Sequence, residues 1–186
     1  PRLATTLARR PAAMDAMLDG DFFQPMGLDE DRDVMRLAVA GADGFEGAMD
    51  AVRRAHREQS FRIGVQVMSG AANAEVAGRG FADLADACIQ VLAPASLAEV
   101  ERVGGAFDGD VAVVALGKCG SREMSAGSDL DLMTLYRARA PGAASAVKEW
   151  SADVFYARFT QRLISALSTP TGEGELYAVD MQLRPS

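Results

Sequence analysis

The chain has 186 residues, of which 49% are hydrophobic and 24% are charged, and its formal net charge is −7 at pH 7. This length and apolar content are enough to bury a core, as one large domain or two small ones. The acidic balance argues against nucleic acid as a partner, because nonspecific binding rests on lysine and arginine neutralising phosphates.

The two cysteines and the hydropathy pattern bear on the cellular compartment. Cys88 and Cys119 lie far apart and form no CxxC pair, so neither a disulfide framework nor a zinc knuckle is indicated. No apolar run approaches 18 residues, and no charged segment followed by an apolar one marks a signal peptide. We therefore expect no membrane span and a cytoplasmic protein with reduced thiols.

Residues 1 to about 105 are predicted to be helical. Their apolar residues fall on two helical stripes, of which one comprises Phe45, Met49 and Val52 and the other Phe81, Leu84, Ala85, Cys88 and Leu92. Glycine-containing breaks at 41–44, 69–72 and 104–105 are expected to separate these helices. His56, the only histidine, stands in the charged run 53–58 and is interpreted as a solvated helix residue.

Beyond residue 110 the pattern changes to short strands. The valine-rich run 111–116 predicts a strand buried on both faces, and residues 130–136 predict its partner. Residues 137–146 form an Ala, Pro and Gly loop, and residues 176–183 predict a third strand. A helix ended by Pro170 is predicted between the second and third strands. Its apolar stripe comprises Val147, Trp150, Val154, Phe159, Leu163 and Leu167.

The second predicted strand opens with two carboxylates. Because side chains alternate along a strand, Asp129 and Asp131 are expected on one face with Cα atoms about 6.6 Å apart. Leu130 and Leu132 would point into a core and hold both aspartates rigidly. Such a pair suits a hard, oxygen-seeking cation such as magnesium, although a solvated strand face is an alternative interpretation.

A glycine-rich turn separates the first strand from these carboxylates. Glycines at 117 and 120 would let backbone amides approach a phosphate, and Ser121 adds a hydroxyl donor. Alone this is an ordinary turn, but beside the carboxylate pair it predicts contacts with a nucleoside triphosphate. We expect Lys118, Gly120, Ser121 and Ser128 at the nucleotide.

A familiar phosphate-binding motif and a familiar calcium-binding motif do not fit these residues. A Walker-type loop needs a glycine five residues before the first glycine of the turn and a serine or threonine after the lysine, where Ala112 and Cys119 stand. An EF-hand starting at Asp129 needs glycine at its sixth position and glutamate at its twelfth, where Thr134 and Ala140 stand.

A third carboxylate is predicted on the third strand. Asp180 lies on its polar face with Gln182, and three carboxylates can hold two metal ions in phosphoryl transfer. Asp180 would also be the general base for an incoming hydroxyl, and Arg184 could stabilise triphosphate charge. A solvated Asp180 and an Arg184 in a structural salt bridge are the alternatives.

Together these residues resemble the nucleotidyltransferase superfold shared with DNA polymerase beta. Seven residues, 122–128, separate the Gly-Ser pair from the carboxylates, fewer than that superfamily usually has. This short spacing resembles the glutamine synthetase adenylyltransferase family, and three further stretches strengthen the likeness. They are VVALGKCGSREM with GSDLDL at 113–132, YAVDMQLRPS at 177–186, and REQSFRIGV at 57–65.

The resemblance implies a fold, an activity and partners. We expect an α+β chain with a helical region at 1–105 and a polymerase-beta-like core with a small mixed sheet at 106–186, truncated at its C-terminal end. Family members are much longer and bifunctional, and this piece resembles the C-terminal half, which adds AMP from ATP to a tyrosine of glutamine synthetase. Asp129, Asp131 and Asp180 would hold two Mg²⁺ ions and carry catalysis. A PII-type nitrogen regulatory protein is expected to act through the full-length enzyme.

Three other functions stay open. The related adenylyl-removing half would use the same carboxylates for phosphorolysis. A non-catalytic module could sense nucleotide or dock on glutamine synthetase, although complete carboxylates argue against it. A sugar-nucleotide transferase could use the carboxylate pair with a divalent ion, but the upstream Gly-Ser turn and Asp180 favour the polymerase-beta-like site.

Overall fold

Residues 20–180 are described by the computed structural model, in which helices precede a small sheet. A 3-10 turn at Gly20–Phe23 leads into helices α1, α2 and α3, at Leu28–Ala40, Gly44–Ser69 and Ala74–Gly104. Strand β1, the one-turn helix α4, strand β2, helix α5 and strand β3 follow, at Gly109–Ala115, Gly117–Gly120, Leu130–Ala138, Ala152–Ser168 and Val179–Asp180. The predicted α+β class with N-terminal helices and a small mixed sheet is confirmed.

The helix ends lie at the predicted glycine-containing breaks. Helix α2 ends at Gly70, whose left-handed backbone (φ 78°) suits glycine. The Asn73 side chain caps α3 by accepting a hydrogen bond from the Val76 amide at 2.9 Å. Gly104 is the last residue of α3, as expected.

The two predicted helical stripes form the centre of the core. Met49 and Val52 of α2 are buried, as are Leu84, Cys88 and Leu92 of α3, which packs against α1, α2 and α5. Side chains from both sides of residue 105 share this cluster. The division into domains at 105/106 therefore stays a prediction.

Helix α3 is, within residues 20–180, the one helix long and apolar enough to cross a membrane by length and composition. The sequence analysis had expected no segment of this kind. Its apolar side is occupied by contacts with three other helices. A core helix passes the same test, so this finding is weak evidence for a membrane span.

The sheet has the order β1-β2-β3. Strands β1 and β2 pair antiparallel from Gly109↔Ala138 to Ala115↔Leu132, as predicted for these partners. Strands β2 and β3 pair in parallel, with Leu130 opposite Val179 and Asp131 opposite Asp180. The predicted mixed sheet is thus present.

One face of the sheet is covered and the other is open. On the covered face, residues of all three strands pack against the core beneath α5, including Val111, Leu130 and Val179. On the other face Leu135 is half exposed, and Ala112 of β1 is exposed. The expectation that the first strand is buried on both faces was wrong, because the core covers only the face that carries Val111 and Val113.

Helix α5 begins later than predicted. Its first residue is Ala152, and Val147, expected on its apolar stripe, is 68% exposed. The amides of Val147 and Lys148 instead donate to the Gly104 carbonyl at the end of α3, at 2.9 and 3.0 Å. These two amides therefore supply hydrogen-bond donors to a carbonyl at the end of α3 that has no partner within the helix. Val154 is also exposed, and Phe155 and Tyr156 occupy the core positions.

The third strand begins later than predicted, at Val179 and not at residue 176. Tyr177 lies before it, because its amide donates to the Leu167 carbonyl of α5 at 3.0 Å instead of pairing with β2. Pairing begins where the Leu130 amide donates to the Ala178 carbonyl at 2.9 Å. Residues 181–186, which carry the rest of the predicted strand, lie outside the described residues.

Replacing Phe159 by alanine tests the core beneath the sheet. Phe159 is 1% exposed, so the truncation should lower the free energy of unfolding by about 3–5 kcal/mol through lost burial and a cavity. Val154→Ala on the same helix, at a 42% exposed site, should change it by less than about 0.5 kcal/mol. Urea denaturation followed by circular dichroism measures both, and equal losses would contradict this description of the core.

Candidate functional site

The predicted carboxylates lie on the open face of the sheet. Asp131 and Asp180 are direct partners in the parallel register, so their side chains leave neighbouring strands on the same face. Leu130 and Leu132, on the other face, are 0% and 3% exposed. Asp129 precedes β2 directly and is exposed. The predicted alternation is confirmed within β2 for Leu130, Asp131 and Leu132, and a face shared by Asp129 and Asp131 stays a prediction.

The arrangement of these side chains bears on metal binding. Two carboxylates on adjacent strands supply the hard oxygen ligands that magnesium prefers, so Asp131 and Asp180 suit a divalent cation by donor chemistry and register. Within residues 20–180, however, no three His, Cys, Asp or Glu side chains are gathered closely enough to hold a metal ion. The three-carboxylate set with two ions stays a prediction.

The turn after β1 is closely fitted to Asp131. The Leu116 amide donates to the Asp131 carbonyl at 2.8 Å, which draws the end of β1 against β2. Gly117 has a left-handed backbone (φ 52°), and a Cβ there would collide with Oδ2 of the Asp131 carboxylate. Glycine is therefore required for both conformation and space.

The residues expected at the phosphates are mostly engaged within this turn. The Gly120 amide donates to the Leu116 carbonyl at 2.9 Å, and the Ser121 amide donates to the Gly117 carbonyl at 3.0 Å. The side chain of Lys118 is exposed. The role of these residues in nucleotide binding stays a prediction, and Arg184 lies outside residues 20–180.

Ser128 orders the loop that leads to the carboxylates. It is 8% exposed, and its hydroxyl accepts a hydrogen bond from the Ser125 amide at 3.0 Å. The two serine hydroxyls also lie 3.0 Å apart. Contact between Ser128 and nucleotide therefore stays a prediction, beside a structural role that the sequence did not suggest.

Arg122 attaches the turn to helix α3, which the sequence did not predict. Its guanidinium forms an ion pair with Asp83 and a second with Asp86, at 3.2 Å in the latter case. Beside it, Cys119 is 4% exposed, and burial raises the pKa of its thiol. Cys119 therefore packs as a small hydrophobe, as expected.

Arg53 of α2 is a second unpredicted residue and is 1% exposed. Its guanidinium donates hydrogen bonds to four carbonyls, at 2.7 to 3.0 Å. They belong to Met49, Ala166, Thr169 and Gly174. Arg53 thereby joins α2 to the end of α5 and to the segment before β3. No local pattern signals this, because three of the four partners are over 110 residues away.

His56 is packed, so its interpretation as a solvated residue was wrong. Its ring meets the Tyr177 ring edge-on, with centroids 4.8 Å apart, and its Nε2 lies 3.3 Å from the Ser60 hydroxyl. These residues line a cavity of about 200 Å³ behind the 124–127 loop. Burial, with smaller contributions from Arg57 and Arg53, lowers the pKa of His56 to about 4.

Comparison with known proteins places this arrangement among characterised families. A family model described as glutamate-ammonia ligase adenylyltransferase matches residues 1–186. A protein of Caulobacter vibrioides is 64% identical over 186 residues, which are all of this chain and 18% of that protein. Proteins of Brucella suis and Xanthobacter autotrophicus are 41% and 42% identical over 191 residues, covering all of this chain and 19% of each.

Each of these three relatives is named a bifunctional glutamine synthetase adenylyltransferase/adenylyl-removing enzyme. The chain spans less than a fifth of their length. The similarity includes both the helical region and the sheet, because it covers the whole chain.

Replacing Gly117 by alanine tests the fit between the turn and Asp131. Gly142→Ala is the matched control, since Gly142 also has a positive φ (73°) but open space around it. The control should lose about 1–2 kcal/mol of unfolding free energy from backbone strain alone. Gly117→Ala should lose more, because it must also displace the Asp131 carboxylate. Urea denaturation compares them, and equal losses would show that the close contact is absent.

The partly buried His56 ring predicts a pH-dependent stability. Its pKa is about 4 when folded and about 6.5 when unfolded, so between these values only the unfolded state binds the proton. The contribution of His56 is therefore present above pH 6.5 and is lost as the pH falls towards 4. Denaturation midpoints of the native chain and of His56→Phe are measured from pH 7.5 to 4.5. As the pH falls, the midpoint of the native chain should fall more than that of His56→Phe.

Asp31 titrates in the same window with the opposite sign. Burial raises its pKa from 3.8 to about 7, so its contribution to stability is lost as the pH rises. Both proteins contain Asp31, and the difference between them isolates His56. Parallel pH profiles would contradict a buried, neutral His56 ring.

Proposed function

Because the chain belongs to the glutamate-ammonia ligase adenylyltransferase family, we propose that it is a nucleotidyltransferase core that transfers AMP from ATP to a tyrosine of glutamine synthetase. The observation that supports this best is the pairing of Asp131 with Asp180 on the open face of the sheet. The closely fitted turn at Gly117 adjoins the same carboxylates. The names of the relatives supply the proposed acceptor protein.

In the proposed reaction the chain's residues mainly position the reactants. Magnesium bound by Asp129, Asp131 and Asp180 would supply charge neutralisation for the triphosphate and the leaving pyrophosphate. A tyrosine oxygen forms a bond to the α-phosphorus of ATP, and the bond from that phosphorus to pyrophosphate breaks. Asp180 accepts the hydroxyl proton as general base. Positioning and charge neutralisation supply most of the rate in such transfers.

The names of the relatives include two activities, so the adenylyl-removing reaction is a second candidate. It would use the same carboxylates to cleave AMP from the modified tyrosine with phosphate, releasing ADP. Likeness of residues 57–65 and of the terminal Leu-Arg-Pro-Ser to the C-terminal half favours the adenylylating activity. A product assay separates the two, since one reaction releases pyrophosphate and the other ADP.

The setting of this activity is proposed on the same grounds. A cytoplasmic location follows from the acceptor enzyme and from the expectation of reduced thiols. A PII-type regulator would act through the longer enzyme, of which this chain corresponds to less than a fifth. With a net charge of −7, nucleic acid is not a proposed partner.

Removing the carboxylate pair tests the proposal. We expect the double variant Asp129→Asn, Asp131→Asn to lose magnesium-dependent ATP binding in calorimetric titration while the native chain retains it. The control Asp33→Asn, Asp43→Asn also removes two negative charges, but from α1 and the α1–α2 turn. It should bind ATP as the native chain does. Circular dichroism checks that all three are folded alike.

A transfer assay completes this test. The single variant Asp131→Asn should abolish AMP transfer to glutamine synthetase in the full-length enzyme without unfolding it. Retained transfer in that variant would rule out the proposed role of Asp131. Binding that both double variants lose equally would show a charge effect and not a site.

A further inference from the structure

Strand β3 carries the third proposed carboxylate and pairs with β2 at Val179 and Asp180, the last of the described residues. The segment before it, residues 169–178, contains neither helix nor strand. Contacts of this segment with the helices therefore contribute to where it runs and to the position from which Asp180 follows.

Three arginines of α2 hold the middle of this segment; we call Arg53, Arg54 and Arg57 the arginine clamp. Arg53 donates to the Gly174 carbonyl at 2.9 Å, and Arg57 donates to the Glu173 carbonyl at 2.8 Å. The Glu173 carboxylate also forms ion pairs with Arg54, at 3.0 Å, and with Arg57, at 2.7 Å. The turn at 173–174 is thus fixed to one side of α2.

Arg53 also holds the start of this segment. Arg53 donates to the carbonyls of Ala166 and Thr169, at 2.9 and 2.7 Å. These carbonyls lie at the C-terminal end of α5, where the helix dipole favours a cation. Arg53 therefore fixes the end of α5 and the 173–174 turn relative to each other, and little chain separates that turn from Asp180.

We propose that the arginine clamp positions Asp180 beside Asp131, so that the helical region sets the geometry of the proposed catalytic site. Arg53 is then a positioning residue that acts through the backbone of residues 169–178. This inference rests on the proposed function, since it assumes that Asp180 binds a cation. It assigns the arginines of α2 a role beyond stabilising the packing of the helix.

A double-mutant cycle on the full 186-residue chain tests the clamp. Mn²⁺ serves as the probe, and its binding is measured by electron paramagnetic resonance. Asp180→Asn should weaken Mn²⁺ binding, and Arg53→Met should weaken it by about 10-fold or more, as expected for a residue that orients a ligand. Combined with Asp180→Asn, Arg53→Met should cause no further loss, because both changes remove the same carboxylate from the site.

Two further variants keep the test decisive. Arg57→Gln lies at the half-exposed end of the clamp and should give the same non-additive pattern if Arg53→Met does not fold. The control Arg79→Gln breaks an exposed ion pair with Glu75 on α3 and should leave Mn²⁺ binding unchanged. Circular dichroism monitors the folding of each variant.

The possible failures are distinguishable. If Asp180→Asn binds Mn²⁺ as the native chain does, the proposed site is wrong, and the clamp inference is wrong with it. If Asp180→Asn weakens binding but the clamp variants do not, the site stands and the inference is overturned. Losses that add in the double variant would likewise overturn it, because they would show a general structural effect.

Discussion

The structure depends on a buried cation, Arg53, whose guanidinium donates hydrogen bonds to backbone carbonyls. The Arg53 guanidinium is 1% exposed, and burial lowers its pKa. Leaving such a charge unpaired would cost several kcal/mol. Its hydrogen bonds go to four carbonyls, of which two belong to the last turn of α5 and its C-cap. Those carbonyls have no partner within the helix. The Arg53 side chain therefore satisfies the carbonyls at the end of α5, and they in turn satisfy its buried guanidinium. The result is a fixed junction between the helices and the segment that leads to β3.

The open face of the sheet depends on that junction and on strand alternation. Leu130 and Leu132 anchor β2 in the core, which directs Asp131 outward. Parallel pairing then brings Asp180 beside it, from a strand that residues far away hold in place. The turn at Gly117 closes against the same carboxylate. The family match likewise spans both the helices and the sheet.

Sequence patterns predicted what local periodicity determines. The stripes of α2 and α3, the pairing of β1 with β2, and the inward direction of Leu130 and Leu132 follow from spacing alone. The errors occur where a distant partner decides. Residues 147–151 continue a helical pattern, but the amides of Val147 and Lys148 donate to the Gly104 carbonyl. His56 lies in a charged run, yet Tyr177 covers its ring. No spacing rule links either pair.

The two activities named for the relatives place a limit on what the carboxylates can decide. Adenylylation and phosphorolytic removal both exchange an oxygen on the same α-phosphorus, so the proposed carboxylates would serve either reaction equally. They differ in the leaving or attacking group, which is pyrophosphate in one case and phosphate in the other. The residues that select the direction must therefore contact the β- and γ-phosphate positions.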